Sequence, residues 1–387
     1  MIILIKNGHV KTMAGPDLEC GDVLIENGKI KEVGTGLTAP EGATVIDAAG
    51  RIVAPGFIDA HCHIGLDNEG MGWEGMDYNE IVDPCTPQLR GIDSINPIDE
   101  AFMNAVKGGV TTAVTGPGSA NVIGGTFAAI KLYGKRVDKM ILKDPVAMKV
   151  AFGENPKRCY SNMKKSPSTR MATAALLREM LFKTKRYMED KEEAEKNGTK
   201  APAFDMKLEA MIPVLKKEIP LKAHAHRADD IFTSIRIARE FDVDITLDHC
   251  TDGSLITDEL AEEGLPAFVG PSLGKKSKIE LANKSFETPG ILTKAGVKVS
   301  IITDAPVIPL QYLPMCAGMA VKAGLDIEEA WKSITINPAT AIGIAGRVGS
   351  LEAGKDADVV IHNGNPLTDI DSSVATAIID GKIIYQE

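Results

Sequence analysis

No apolar stretch in this chain of 387 residues approaches the length of a membrane span. The apolar start, MIILIKNGHV, is interrupted at once by Lys6 and Asn7, and no small-residue cleavage site follows it. It is therefore expected to be a strand rather than a secretory leader. Six cysteines (Cys20, Cys62, Cys85, Cys159, Cys250, Cys316) lack the spacing of a disulfide framework, which suits a reducing, cytoplasmic setting. Positive charge is in short supply. The formal net charge is −10, so neither nucleic acid nor an anionic membrane is an expected partner. Repeats and low-complexity tracts are missing. The glycine-rich GPGSANVIGG (116–125) lacks the P-loop lysine and the dinucleotide fingerprint, and reads instead as a backbone-lined wall.

What is present is an ordinary globular composition, 44% apolar and 25% charged, long enough for one large domain and a small one. The two ends look alike. DVLIENGKIKEVG and TAIIDGKIIYQE both read strand, tight turn, strand, with Asn27-Gly28 and Asp380-Gly381 as the turns. They predict a small composite β-sandwich domain built from residues 1–54 and 346–387. Between them, IVAPGFIDAHCH, TTAVTG, FAAIKLYG, PVAMKVAFG, LKAHAH, VDITLDHC, PAFVG and KVSIITD are apolar runs, most followed by a loop and a helical pattern. That texture predicts an α/β architecture, a (β/α)₈ TIM barrel over residues 55–345. Residues 64–97 form a long loop without periodicity. A helical insertion is expected at about 168–218, with an exposed turn near Asn197-Gly198 and the charged MEDKEEAEKNG as a solvated face.

Histidines number seven, and five of them fall at the ends of these runs. His61 and His63 close PGFIDAHCH. Side chains two apart on a strand share a face, so the two rings point the same way. LKAHAH ends on His224 and His226, TLDHC brings His249, and SIITDAP brings Asp304. In a barrel these are the C-terminal strand ends, where barrel enzymes place their chemistry. Neutral imidazole is the usual nitrogen ligand of zinc and similar ions, so the convergence points to a metal centre. A pair of ions also needs a shared anion. AMKVAFGENPKR offers Glu154 directly, or Lys149 after carbamylation by carbon dioxide, since an unmodified ammonium repels cations. Cys62 and Cys250, each beside a histidine, read as packing thiols. Near the expected mouth, Arg227, Arg158, Tyr160 and Arg170 are candidates for substrate binding, with loop salt bridges as the competing reading. Trp73 reads as part of a lid or as loop packing.

PGFIDAHCH, the histidines ending strands five and six, Thr303-Asp304 at strand eight and the tail GSLEAGKDADVVI together resemble the amidohydrolase superfamily over nearly the whole chain. The texture is similar to its imidazolonepropionase-like and dipeptidase-like members. The resemblance implies a divalent metal, zinc foremost, with one or two ions per chain. It implies cleavage of a C–N bond in an amide, cyclic amide or dipeptide by a metal-activated hydroxide. His61, His63, His224, His249 and Asp304 match the family's ligands, and Asp304 also takes the proton from the attacking water. His226 lies outside the basic pattern and is expected in a catalytic or substrate-facing role. Glu154 is the preferred bridge, with carbamylated Lys149 as the alternative. The partner is a small molecule, and self-association is common in barrels of this type. An aminohydrolase acting on a nitrogen heterocycle is the runner-up, set back because HAHRADD lacks the H-x-x-E of deaminases. A non-catalytic scaffold ranks last, because every expected ligand position is filled.

Overall fold

The computed structural model describes all 387 residues. Five strands open the chain: β1 (Ile2–Val10), β2 (Leu18–Glu26), β3 (Lys29–Gly34), β4 (Thr44–Asp47) and β5 (Ile52–Pro55). Eight follow in the centre: β6 (Phe57–Cys62), β7 (Val110–Thr115), β8 (Ile123–Lys131), β9 (Ile141–Ala151), β10 (Leu221–Ala225), β11 (Ile245–His249), β12 (Ala267–Val269) and β13 (Val299–Ile301). β14 (Val359–Asn363), β15 (Ser373–Ile379) and β16 (Lys382–Gln386) end it.

The two ends of the chain do share one sheet, ordered β16-β15-β14-β5-β1-β2-β3 with β4 also on β1. Both expected hairpins form. Asn27 and Gly28 have φ of 53° and 80°, and Asp380 and Gly381 have φ of 50° and 69°. Left-handed conformation at both central positions gives the turn whose twist suits a two-residue hairpin. A Cβ on Gly381 would lie 2.7 Å from Gly28 Cα, so the two turns touch. The expected sandwich is thus, in its hydrogen bonding, one continuous sheet curled until its outer hairpins meet. Ile3, Ile5, Val23, Ile25, Val53, Val359 and Ile361 fill its core.

All eight central runs become strands, joined side by side from β6 to β13. They are not all parallel. β8 runs antiparallel to both β7 and β9, which corrects the expectation of eight repeated β–α units. A parallel crossover needs a dozen or more residues, whereas residues 116–122 between β7 and β8 leave room for a turn only. Beyond the strand ends, Asp304 N–H donates to His61 O at 3.2 Å and His63 N–H to Ala305 O at 2.7 Å, bringing the first and last strands together. Asp59 completes this seam, accepting from Thr303 N–H (2.9 Å) and Thr303 Oγ1 (2.6 Å).

α1 (Glu100–Lys107) leads into β7; α2 (Glu154–Asn162), α3 (Arg170–Asn197) and α4 (Met206–Leu215) lie between β9 and β10; α5 (Ala228–Phe241) leads into β11. The expected insertion is therefore α3 and α4, and α3 ends where the sequence places its turn, at a left-handed Gly198. No helix is long and apolar enough to cross a membrane.

The tail motif anchors the terminal sheet to the barrel. Lys131, buried at the end of β8, meets Asp358 at 2.6 Å, Asp380 at 2.9 Å and Asp356 at 3.0 Å. On β14, His362 stacks on Phe57 (5.3 Å) with Trp331 beyond. Burial pushes His362 down to about 3. The unfolded chain takes up a proton near the ordinary histidine value while the folded chain does not, so this group lowers stability as pH falls from about 6.5 toward 3. We predict that His362→Leu flattens the acid side of the stability profile, by up to about 1.4 kcal/mol per pH unit. Urea midpoints at pH 7.5 and 5 check it, and equal slopes in the two proteins would refute it.

Candidate metal centre

Strand alternation builds the centre. On β10, Leu221, Ala223 and Ala225 pack outward with α3 and α5 residues such as Leu177 and Ile231. Lys222 and His224, and His226 just past the strand end, therefore take the inward face. His61 on β6, and His63 just past its end, occupy the corresponding place. His249, the last residue of β11, has φ 75°, and Asp304, after β13, has φ 53°. Such left-handed non-glycine residues gather at functional sites.

All five histidines and Asp304 meet. His61 Nε2 and His63 Nε2 lie 3.4 and 3.3 Å from Asp304 Oδ1. The His249 ring is 5.2 Å from His61, 4.4 Å from His224 and 4.6 Å from His226. Two sets bring their ligand atoms within 4.8 Å of one another: His61, His249 and Asp304, and His224, His226 and His249.

The rings are held as ligands are held. His61 Nδ1 meets Asp248 Oδ2, His63 Nδ1 meets Gly116 O, His249 Nδ1 meets Gly270 O and His226 Nδ1 meets Thr251 Oγ1, each at 2.7 Å. Fixing one ring nitrogen orients the ring and leaves the other free to coordinate. His249 Nε2 and His224 Nδ1 are buried without any partner. Burial keeps His61, His224 and His226 below the ordinary histidine value and takes His249 to about 3. For Asp304, burial opposes ionisation, but His61 and His63 outweigh it and keep the carboxyl well below its usual range. Neutral imidazoles with unpartnered nitrogens facing a carboxylate fit divalent ions.

The structure does not bring Glu154 to this cluster. β9 ends at Ala151 and the chain turns at Gly153 (φ 77°), so Glu154 begins α2. Its carboxylate faces Arg158 at 3.4 Å. Lys149 stands in the cluster instead. It is fully buried, with Nζ 3.2 Å from His61 Nε2 and 3.8 Å from Asp248 Oδ2. Burial brings Lys149 down to about 8. Beneath it, Lys222 Nζ meets Asp248 Oδ1 at 3.1 Å and stands 4.1 Å over the Phe268 ring.

None of the five candidate substrate residues touches the imidazoles. Tyr160 is buried and donates to Asn121 Oδ1 at 2.6 Å, which makes it a packing group. Arg170 binds Asp230, Arg227 binds Asp229, Arg158 binds Glu154, and Trp73 is 89% exposed. Other residues line the approach. Tyr78 stacks on His63 at 5.3 Å, and its carbonyl accepts from Gly118 N–H at 2.6 Å. Lys278 Nζ bridges Glu280 (2.6 Å) and Asn155 Oδ1 (2.8 Å), and Asn155 Nδ2 lies 3.4 Å from His224 Nε2. Nothing in the sequence pattern marks Tyr78, Lys278 or Glu280; Lys222 and Asp248 carry a local signal, since Lys222 alternates with His224 and Asp248 with the outward Leu247.

A family model described as the amidohydrolase family matches residues 52–384. The crystal structure of an amidohydrolase from Thermotoga maritima MSB8 superposes with a TM-score of 0.97 at 43% identity, covering 100% of both chains. Amidohydrolase tasK of Hapsidospora irregularis is 29% identical over 376 residues, which is 90% of this chain but 38% of tasK. The chain thus spans well under half of that relative. The 5′-deoxyadenosine deaminase of Methanosarcina mazei is 26% identical over 438 aligned positions, covering 100% of this chain and 93% of the deaminase.

Asp248 makes a testable demand. Asp248→Ala removes both the acceptor that orients His61 and the counter-charge of the Lys222 ammonium. We predict metal affinity lower by about 10–100-fold, the usual effect of losing a group that orients a ligand. Competition against a chelating dye measures it, and unchanged affinity would show that Asp248 does not set the His61 ring.

Proposed function

The chain belongs to the amidohydrolase family, and from that premise we propose that it is a metal-dependent hydrolase of C–N bonds in a small amide, cyclic amide or dipeptide. The observation that carries this reading is the gathering of five buried imidazoles and Asp304 into two overlapping sets that share His249, four of the rings anchored through Nδ1. When bound, divalent ions supply Lewis acidity and an acidified water near neutral pH.

The chain's own groups divide the remaining work. His61, His63 and Asp304 would hold an ion on one side, and His224 and His249 would hold one on the other. Asp304, ionised and facing both sides, accepts the proton of the attacking water and passes it to the leaving nitrogen. Lys149 is the proposed bridge. An amine near 8 has an appreciable neutral fraction at neutral pH, and its nitrogen lone pair adds to carbon dioxide with loss of a proton to give an anionic carbamate. Tyr78, Asn155 and Lys278 flank the space where the substrate enters, and Tyr78 covers the His63 face.

The deaminase relative motivates the alternative, an aminohydrolase of nitrogen heterocycles. Glu280 is the carboxylate closest in character to what such chemistry needs, 3.8 Å from His226 Nε2. Its Oε2 accepts from the Glu154 N–H, and its Oε1 stands 2.6 Å from Lys278 Nζ but has no hydrogen-bond partner. Ammonia release from purines and pyrimidines tests this branch.

For the main reading, chelator-stripped protein should lose turnover on a panel of amides, cyclic amides and dipeptides and regain it with zinc or manganese. Asp304→Asn should lower kcat by about 10²–10⁴-fold, the range for a positioned acid–base group. A metal-free protein that stays fully active would falsify the proposal. The bridge has a separate test. Lys149→Ala should lower bound metal while Glu154→Gln leaves it unchanged, and stripped protein should take up metal better with bicarbonate present. The reverse pattern would restore Glu154 as the bridge.

A further inference from the structure

We infer that His226 is a third imidazole ligand, so that one ion is held by His224, His226 and His249. This rests on the proposed metal-dependent reading and extends it, because the family resemblance assigns only His224 and His249 to that side. The geometry of this chain is what adds the third ring. Ligand atoms of the three residues lie within 4.8 Å of one another. The His226 ring is 4.8 Å from that of His224 and stacks on that of His249 at 4.6 Å.

Three features show that His226 is built to coordinate rather than to pack. It is buried to the same degree as its neighbours, at 4% exposure. Thr251 Oγ1 holds its Nδ1 at 2.7 Å, which leaves Nε2 as the free nitrogen. The nearest acidic oxygen to that nitrogen, Glu280 Oε1, stands 3.8 Å away, beyond hydrogen-bond length. That oxygen is already paired with Lys278 at 2.6 Å. Thr251 lies just beyond His249 and Cys250, so the sequence that supplies one ligand also supplies the group that orients another. Glu280 and Lys278 then form a neutral outer wall, and the carboxylate need not enter the coordination sphere.

The donor set has a chemical meaning. Three neutral imidazoles with a position left open are an established catalytic zinc arrangement. They do not reduce the charge of the ion as carboxylate ligands do. Apart from the proposed Lys149 carbamate, which both ions would share, an ion held here would have no carboxylate ligand, so it would be more strongly polarising than one held by Asp304, with Asn155 and Lys278 lining its open side.

Cobalt titration tests this without reference to turnover. The full chain is stripped with chelator and titrated with Co²⁺. Stoichiometry is followed by elemental analysis and coordination by visible absorption. His226→Ala should bind the ion on the His224–His249 side at least about 100-fold more weakly, with a changed absorption spectrum. Thr251→Val keeps the imidazole and should weaken the same ion by about 10–100-fold, which carries the test if His226→Ala fails to fold. If folded His226→Ala, or in its place Thr251→Val, keeps wild-type stoichiometry, affinity and spectrum, the assignment is overturned and His226 faces substrate. Wild-type protein that binds no cobalt overturns the assignment together with the metal-dependent reading, so the two failures are distinguishable.

Discussion

The Asp248 carboxylate has no exposed surface, and side chains from three strands lean on it. His61 on β6 meets one oxygen at 2.7 Å, Lys222 on β10 meets the other at 3.1 Å, and Lys149 on β9 stands 3.8 Å away. Burial favours the neutral acid, but Lys222 and His61 outweigh it and keep Asp248 ionised far below the usual carboxylate range. An unpaired charge at this depth is unfavourable by several kcal/mol, roughly the 3–5 kcal/mol seen when one member of a buried pair is removed. Lys222 also rests on the faces of Phe268 and Phe127, which further offsets its desolvation. The anion therefore does two things with one geometry. It supplies the counter-charge of a lysine below the imidazole cluster, and it fixes the His61 ring so that Nε2 points up into that cluster.

Above this platform the backbone is strained where ligands are needed. His249, Cys250 and Asp304 all have left-handed φ. Such residues cost of order 1–3 kcal/mol each and persist when their surroundings over-determine them. Here the surroundings do so. His249 is tied through Nδ1 to Gly270 O, and the Asp304 N–H is tied to His61 O. The bond that brings β13 to β6 is the same bond that places Asp304 opposite His61. Barrel closure and site assembly are one event.

This explains what the sequence could and could not reveal. Strand alternation is local, so His61, His63, His224 and His226 were legible from spacing. The two hairpins were legible because Asn-Gly and Asp-Gly at such turns report their own backbone. With Ile245 and Leu247 outward, regular alternation already places Asp248 inside, beside His224; it is His249 that joins it only by leaving the regular conformation, so reading His249 as the inward residue of its strand concealed Asp248. Glu154 was misjudged for a related reason: the left-handed Gly153 starts a helix that carries it away. The reversal of β8 leaves apolar composition unchanged and showed only in the shortness of residues 116–122. Tyr78 and Glu280 lie on loops whose paths depend on distant partners, Gly118 and Glu154.

That reversal also accounts for the contrast between two buried lysines. Because β8 is antiparallel, Lys131 pairs in register with Thr112 near the start of β7, at the end of the barrel opposite the imidazoles. There it meets three carboxylates. Burial works against its charge, but Asp358 and Asp380 outweigh burial, and its pKa rises. Lys149, on the neighbouring strand, has a share in one carboxylate already claimed by Lys222 and His61, and its pKa falls to about 8. The same side chain is thus held more firmly as a cation at one end than at the other. What decides between them is the number of carboxylates left over, and the tail motif Asp356-Ala357-Asp358 supplies two of them to Lys131. A barrel with β8 parallel would place Lys131 at the other end, away from those aspartates. The strand reversal is therefore what allows the terminal sheet to be fastened by charge, while Lys149 at the imidazole end stays without a carboxylate of its own.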